Sequence, residues 1–356
     1  MLYVLEYIWL DSENNFRSKT RVCYFNVDIN DINVNNIPLW NYDGSSTGQA
    51  ELKNSEIILK PTVMFRDPFR QNINNSFLVW CDMMDSNNTL LKNSKRQKAL
   101  EIFEKYKEQE PWYGLEQEYF IIDPNTKLPL GFGINTYPEP QGKYYCGIGG
   151  YKEKERSLVE KHLQYCLFAG IQICGLNAEV APGQWEYQIG PSIGIIAGDH
   201  LWISRYILVR VAETFSLDIS FHPKVIPNNN WNGSGCHTNF STKLMREDNG
   251  IDHINKAIKR LNINHTEHML HYGDNNRMRL TGKNETSSYN NFTSGVAHRG
   301  TSIRIPQDTF KNKKGYFEDR RPASNCDPYL VTSLILETIN NEKLDKYSME
   351  YLGYII

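Results

Sequence analysis

Residues 112–120 read WYGLEQEYF, and any fold that contains this segment has to settle an electrostatic conflict. Apolar and polar residues alternate along 113–122, as in a half-buried strand. Residues two apart in a strand share a face, so Glu116 and Glu118 project together while Gln117 points away. Neighbouring carboxylates on one sheet face repel unless a cation or a base lies between them. Three further peptides add acids and an imidazole. Glu179 and Glu186 lie in NAEVAPGQWEYQIGP, His237 follows a glycine-rich approach in NWNGSGCHTNFS, and Glu318 lies in GYFEDRRP. Carboxylates and a neutral imidazole are donors that hold hard divalent cations against phosphates. Buried arginine partners for the acids and a structural role for His237 would account for the same residues one by one.

The C-terminal third supplies cations: Arg279 in RMRLTGKNETS, Arg299 and Arg304 in GVAHRGTSIRIP, and Arg320 and Arg321 in YFEDRRP. Arginine forks recognise carboxylates and phosphates in pairs of hydrogen bonds and stabilise charge on a phosphoryl group in transfer. Acids and arginines in these glycine-, threonine- and proline-rich contexts point to an enzyme site handling both kinds of anion.

At 356 residues the chain is long enough for two domains, and its formal charge of −2 argues against a nucleic-acid partner. The cysteines at 23, 81, 146, 166, 174, 236 and 326 contain no C-x-x-C pair, so reduced thiols in a cytoplasmic protein are expected. No secretory leader is expected from MLYVLEYIWLDSENN, which has no basic start. The apolar run 200–215 is broken by Arg205 and Arg210, so no membrane span is expected.

Runs at 3–10, 20–28, 55–65 and 76–83 read as strands of a small β-rich domain, with WNYDGSSTGQA as a loop among them. LLKNSKRQKALEIFEKYKEQE turns to a helical period, with Ala99, Leu100, Phe103 and Tyr106 on one side, and opens a second domain. There, strand-like 113–122, 171–180 and 184–189 alternate with helical 153–169, 196–215 and 251–268, an α+β pattern on an antiparallel or mixed sheet. The asparagine-rich NDINVNN and PNNNWN flank well-patterned segments and are expected to be ordered.

Ten peptides in order, including PLWNYDGSSTGQA, MFRDPFR, WYGLEQEYF, NAEVAPGQWEYQIGP, NWNGSGCHTNFSTK, RLTGKNETS and GYFEDRRPASNCDPY, give the chain a family likeness. It resembles glutamine synthetase of the eukaryotic type, class II, along essentially its whole length. The resemblance implies a β-grasp domain over 3–88. A catalytic domain over 93–356 would follow, with a curved antiparallel sheet flanked by helices. It also implies a homo-oligomer, typically a decamer of two stacked pentameric rings with shared active sites. The reaction implied joins ammonia to L-glutamate with ATP through a γ-glutamyl phosphate.

Carried over motif by motif, Glu118, Glu179 and Glu186 would hold one Mg²⁺ or Mn²⁺, and Glu116, His237 and Glu318 a second. Trp112, Pro191, Asn239, Ser241 and Tyr316 would frame the nucleotide. Arg299 would serve phosphoryl transfer, with Arg304 on the nucleotide side. Arg279 and Arg320 would grip glutamate, with Asn230, Trp231, Asn232 and Gly233 beside them. Asp43 and Glu285 would capture ammonium and take its proton, Asp43 from a neighbouring subunit. Asn284 and His298 depart from the family spelling, Asn284 in the KNETS segment that the resemblance makes a flap carrying Glu285, and His298 next to Arg299. Two other readings remain open from the sequence: a γ-glutamyl ligase for a larger amine, and a scaffold without catalysis.

Overall fold

The computed structural model describes residues 1–26, 28–133, 138, 142–149, 153–227 and 230–345. The chain divides into two compact units, residues 1–97 with 162–171, and residues 98–161 with 172–356.

The first unit is a mixed sheet of β1 (Leu2–Leu10), β2 (Phe16–Tyr24), β3 (Trp40–Asp43), β4 (Glu56–Arg66) and β5 (Ser76–Met84), in the order β2-β1-β5-β4-β3. Only β1 and β5 pair in parallel. Tyr3, Leu5, Tyr7 and Trp9 alternate along β1 and pack with Leu59, Val79 and Cys81 into one apolar cluster. The sequence places the second strand at 20–28, whereas it runs from Phe16 to Tyr24; Val27 lies outside the described residues. The reason is local. Asp11 Oδ1 accepts from the backbone N–H of Glu13 and Asn15, each at 2.9 Å, and Asn14 sits at φ 62°. This tight turn starts β2 in polar sequence that lacks strand patterning. Trp40–Asp43, expected as loop, pairs with β4. The asparagine-rich segment before it is a capped turn, Asn33 N–H donating to Asn36 Oδ1 at 2.8 Å.

The second unit begins within α1 (Arg96–Lys105), whose Ala99 and Phe103 are buried. Next along the chain come β6 (Trp112–Asp123), β7 (Leu128–Pro129), α2 (Glu153–Ala169), whose residues from His162 on belong to the first unit, β8 (Ile173–Ala178), β9 (Gln184–Ile193), α3 (Ile195–Thr214), β10 (Asp218–Ser220) and β11 (Cys236–Ser241). Then follow α4 (Lys243–Arg246), α5 (Gly250–Ile263), α6 (His265–His271), β12 (Ser294–Val296), β13 (Ile303–Ile305), α7 (Gln307–Asn312), β14 (Phe317–Asp319) and α8 (Pro328–Ile339). The helix read over 251–268 is two, α5 and α6, meeting at Asn264.

The strands form one sheet, β12-β13-β14-β11-β6-β9-β8, with β7 and β10 added to β6. It is antiparallel except for β12 and β13, which pair in parallel. One face of β6 carries Tyr113, Leu115, Gln117 and Tyr119, all buried. Behind it lies α3, buried nearly all round. Its Arg205 donates to Gln117 Oε1 at 2.7 Å and to the carbonyls of Ser324 and Cys326 at 2.9 and 2.8 Å. The buried charge is thus met by fixed dipoles. Tyr113 OH donates to Thr332 O of α8 at 2.8 Å. The apolar side of the sheet is closed, which leaves the acids on the other side. All seven cysteines are free thiols.

Candidate active site

Strand register assembles the site. Glu118 on β6 stands opposite Glu186 on β9, which stands opposite Asn177 on β8. In the next row Gln188 faces Glu116, and Glu116 faces His237. In the third, Gly114, Asn239, Glu318 and Arg304 follow one another across four strands. The two-residue repeat within each strand lifts these side chains to one face.

His237 Nδ1 lies 3.4 Å from Glu116 Oε2 and 3.4 Å from Glu318 Oε1, and its Nε2 lies 3.9 Å from Glu118 Oε1. One ligand atom from each of Glu116, His237 and Glu318 falls within 4.8 Å of the others. Glu318 is also paired with Arg304 and, at 2.8 Å, with Arg320. Glu118 Oε2 accepts from Gly235 N–H at 2.9 Å, and Glu179 accepts from Asn177 Nδ2 and Val180 N–H, each at 3.1 Å. Gly235 permits this approach, because a Cβ there would sit 2.9 Å from both Arg279 Nη2 and His237 Nε2.

Burial, followed by the charges of its acidic neighbours, holds the Glu186 carboxyl far above its ordinary range. Burial and then Glu179 raise Glu118, and burial raises Glu179. Burial, then Arg320, keeps His237 neutral well below its ordinary value. A neutral imidazole beside carboxylates offers a donor set suited to a hard divalent cation.

These groups line a cavity of about 450 Å³. It gathers Glu116, Glu118, Glu179, Glu186, Asn232, Gly233, His237, Arg279, Glu285, Arg299, Arg304, Glu318 and Arg320. A second cavity of about 450 Å³ is mainly apolar and gathers Trp112, Pro191, Asn239, Ser241 and Tyr316. Glu116 and Gln188 line both.

Of the expected residues, Trp231 and Asn230 line neither cavity, and Asp43 is expected from a neighbouring copy. The Trp231 side chain is buried against Phe132, with ring centroids 5.2 Å apart, because its indole packs in an apolar cluster. Only its carbonyl turns toward the 281–288 segment, accepting from Asn284 Nδ2 at 3.3 Å. Asn230 is exposed and lines neither cavity; Asn228 and Asn229 lie outside the described residues. Asp43 belongs to the first unit.

Other residues went unread in the sequence. Gln184 and Gln188 flank Glu186 at strand spacing, and Gln184 Nε2 donates to Gly233 O at 3.1 Å. Alternation would have found both. Arg246 on α4 lies over the Trp112 ring at 4.0 Å in the apolar cavity. Nothing local signals that contact.

The glutamine synthetase catalytic domain matches residues 93–341. The chain belongs to the glutamine synthetase family. It is 50% identical over 338 residues to a cytosolic glutamine synthetase isozyme of Pinus sylvestris, a match covering 94% of this chain and 93% of that one. Identity to a glutamine synthetase of Tuber borchii is 51% over 334 residues, covering 94% and 91%. A chloroplastic glutamine synthetase of Brassica napus is 51% identical over 338 residues, covering 94% and 77%. Glutamine synthetases use ATP and a divalent metal, and the oxygen-rich set of Glu116, His237 and Glu318 fits such a metal. Among the described residues no helix is long and apolar enough to cross a membrane.

Proposed function

We propose that the chain joins ammonia to the γ-carboxylate of L-glutamate, with ATP converted to ADP and phosphate, and that the two joined cavities divide the work. The observation that carries the reading is the shared wall. Glu116 and Gln188 border both the apolar cavity and the charged one, so a nucleotide lying across them has its base on Trp112, Pro191 and Tyr316 and its phosphates among the acids.

Glutamate is gripped by Arg279 and Arg320. Both are buried, and Nε of each has no hydrogen-bond partner among the described residues. Arg279 Nη2 is fixed on the carbonyls of Arg320 and Pro322, each at 2.8 Å, so the fork is aimed before a ligand arrives. The γ-carboxylate oxygen attacks the terminal phosphorus of ATP, the bond to the β-phosphate oxygen breaks, and ADP leaves. Arg299 and Arg304, both lining the cavity, stabilise the charge on the phosphoryl group in transit. Mg²⁺ or Mn²⁺, held by Glu116, His237 and Glu318 and by Glu118, Glu179 and Glu186, would neutralise phosphate charge and fix its orientation.

Ammonium loses its proton to a carboxylate, with Glu285 in the cavity wall and Asp43 serving capture and deprotonation. Ammonia then attacks the acyl carbon, the C–O bond to phosphate breaks, and the extra N–H proton leaves to the departing phosphate. Asp43 reaches the site from a neighbouring copy in a homo-oligomeric ring, a decamer of two pentamers in the cytoplasm.

The test is phosphate release from ATP with Mg²⁺, omitting glutamate and ammonium in turn and offering methylamine in place of ammonium. Release that needs glutamate and ammonium together, with glutamine formed in equal amount, is expected. Preference for methylamine, or no release from the assembled protein, would overturn the reading.

A further inference from the structure

His265 at the start of α6 is buried and belongs to neither cavity. Its ring joins two pieces of chain. Nε2 lies 3.0 Å from Tyr289 O and Nδ1 lies 3.1 Å from Arg321 Nη1. A carbonyl only accepts and a guanidinium only donates, so the proton sits on Nε2 and the lone pair on Nδ1. The ring is therefore a neutral bridge of fixed tautomer.

Each end leads to the charged cavity. Arg321, itself fully buried, donates to Asp319 through Nε at 2.9 Å and Nη2 at 2.7 Å, and Tyr272 OH donates to Asp319 at 2.9 Å. Asp319 and Arg321 flank Arg320 on the chain, directly after Glu318. Tyr289 closes the loop carrying Glu285: its N–H donates to Leu280 O at 2.9 Å, just outside the Thr281–Ser288 bridge. Phe292 packs edge-on against His265 and lies under the Arg321 guanidinium at 5.1 Å. Asn284 and Glu285 both sit at positive φ, 52° and 60°; asparagine takes this conformation readily, but glutamate holds it only where the surroundings impose it.

We propose that His265 is a positioning residue that fastens the base of the 281–288 loop to the segment that follows β14 and carries Arg320, and so sets where Glu285 stands. This rests on the reading of Glu285 as a group that captures ammonium and takes its proton. Burial and then the neighbouring Arg321 hold the imidazole below its ordinary value, consistent with a bridge that stays neutral.

His265→Phe keeps the ring and removes both hydrogen bonds; His265→Gln keeps a donor and an acceptor. In the full-length protein, His265→Phe is expected to speed hydrogen–deuterium exchange at residues 283–292 while other peptides keep their rates. It should also raise the KM for ammonium about tenfold, release phosphate in excess of glutamine, and leave the KM for ATP within about twofold. His265→Gln should recover most of the loss. Faster exchange throughout, or KM values for ATP and ammonium rising together, would show a merely structural role and overturn the inference. So would exchange at 283–292 identical to wild type. Should wild type itself release no phosphate with glutamate and ammonium, the reading of the reaction fails, and the exchange comparison alone decides the tether.

Discussion

Glu186 is pressed by acids from three sides. After burial, the charges of Glu116, Glu118 and Glu179 raise its carboxyl, and Glu118 and Glu179 are raised with it. In the metal-free fold these groups retain protons that the unfolded chain gives up near the ordinary value of 4.5. Their stabilisation is fully present below that value and is lost as pH rises through the raised folded-state values. Thermal melts in EDTA should therefore fall steadily as pH climbs from about 5 through neutrality. Melts with saturating Mg²⁺ should flatten, since the cation replaces the protons. A rising EDTA curve over that range would count against the assignment.

Removing a donor should act on the metal directly. Glu318→Gln is expected to weaken Mn²⁺ binding at least about tenfold by titration calorimetry, with the fold retained. Unchanged Mn²⁺ affinity would place the ion elsewhere.

At the scale of elements, β6 carries two opposite chemistries on its two faces, and α3 covers one of them. Gln117→Leu takes from buried Arg205 its Nε partner and leaves its two carbonyl contacts. The cost should be about 1–3 kcal/mol in a urea melt. Adding Arg205→Met should recover part of that loss, since no unpaired charge then remains buried. The α4 helix has a different task. Arg246→Ala should raise the KM for ATP several-fold by removing the cation from the Trp112 ring, while the KM for glutamate stays unchanged.

What was legible follows from the range of the signal. Period-two alternation is local, so β6, β9 and the shared face of Glu116 and Glu118 could be read directly. The phase of the strands across the sheet is not local. That Glu186 faces Glu118, and that Glu318 reaches His237 from more than eighty residues away, came only from recognisable peptides, never from spacing. β2 was read four residues too late, because its first half, Phe16–Lys19, is polar edge-strand sequence with no apolar stripe. Arg246 escaped because a cation over a distant ring leaves no trace in its own neighbourhood.

For the whole molecule, Asp43 is the informative residue. Hydroxyls of Ser45 and Ser46 hold its carboxyl down at about 2, so it is an anion at any working pH, suited to a small cation. Asp43→Ala should raise the KM for ammonium strongly and spare glutamate-dependent phosphoryl transfer. If rings place Asp43 of one copy beside Glu318 of the next, oligomers reassembled from equal Asp43→Ala and Glu318→Gln subunits should recover about a quarter of wild-type activity. Sites confined to one copy would recover none.

In this reaction the γ-carboxylate of glutamate takes the phosphoryl group before ammonia arrives. Glutamate labelled with ¹⁸O in that carboxylate reports whether it does. One labelled oxygen should appear in the released phosphate for each glutamine formed. Phosphate free of label, with both labelled oxygens accounted for elsewhere, would contradict the acyl phosphate and the part proposed for Arg299 and Arg304 in forming it.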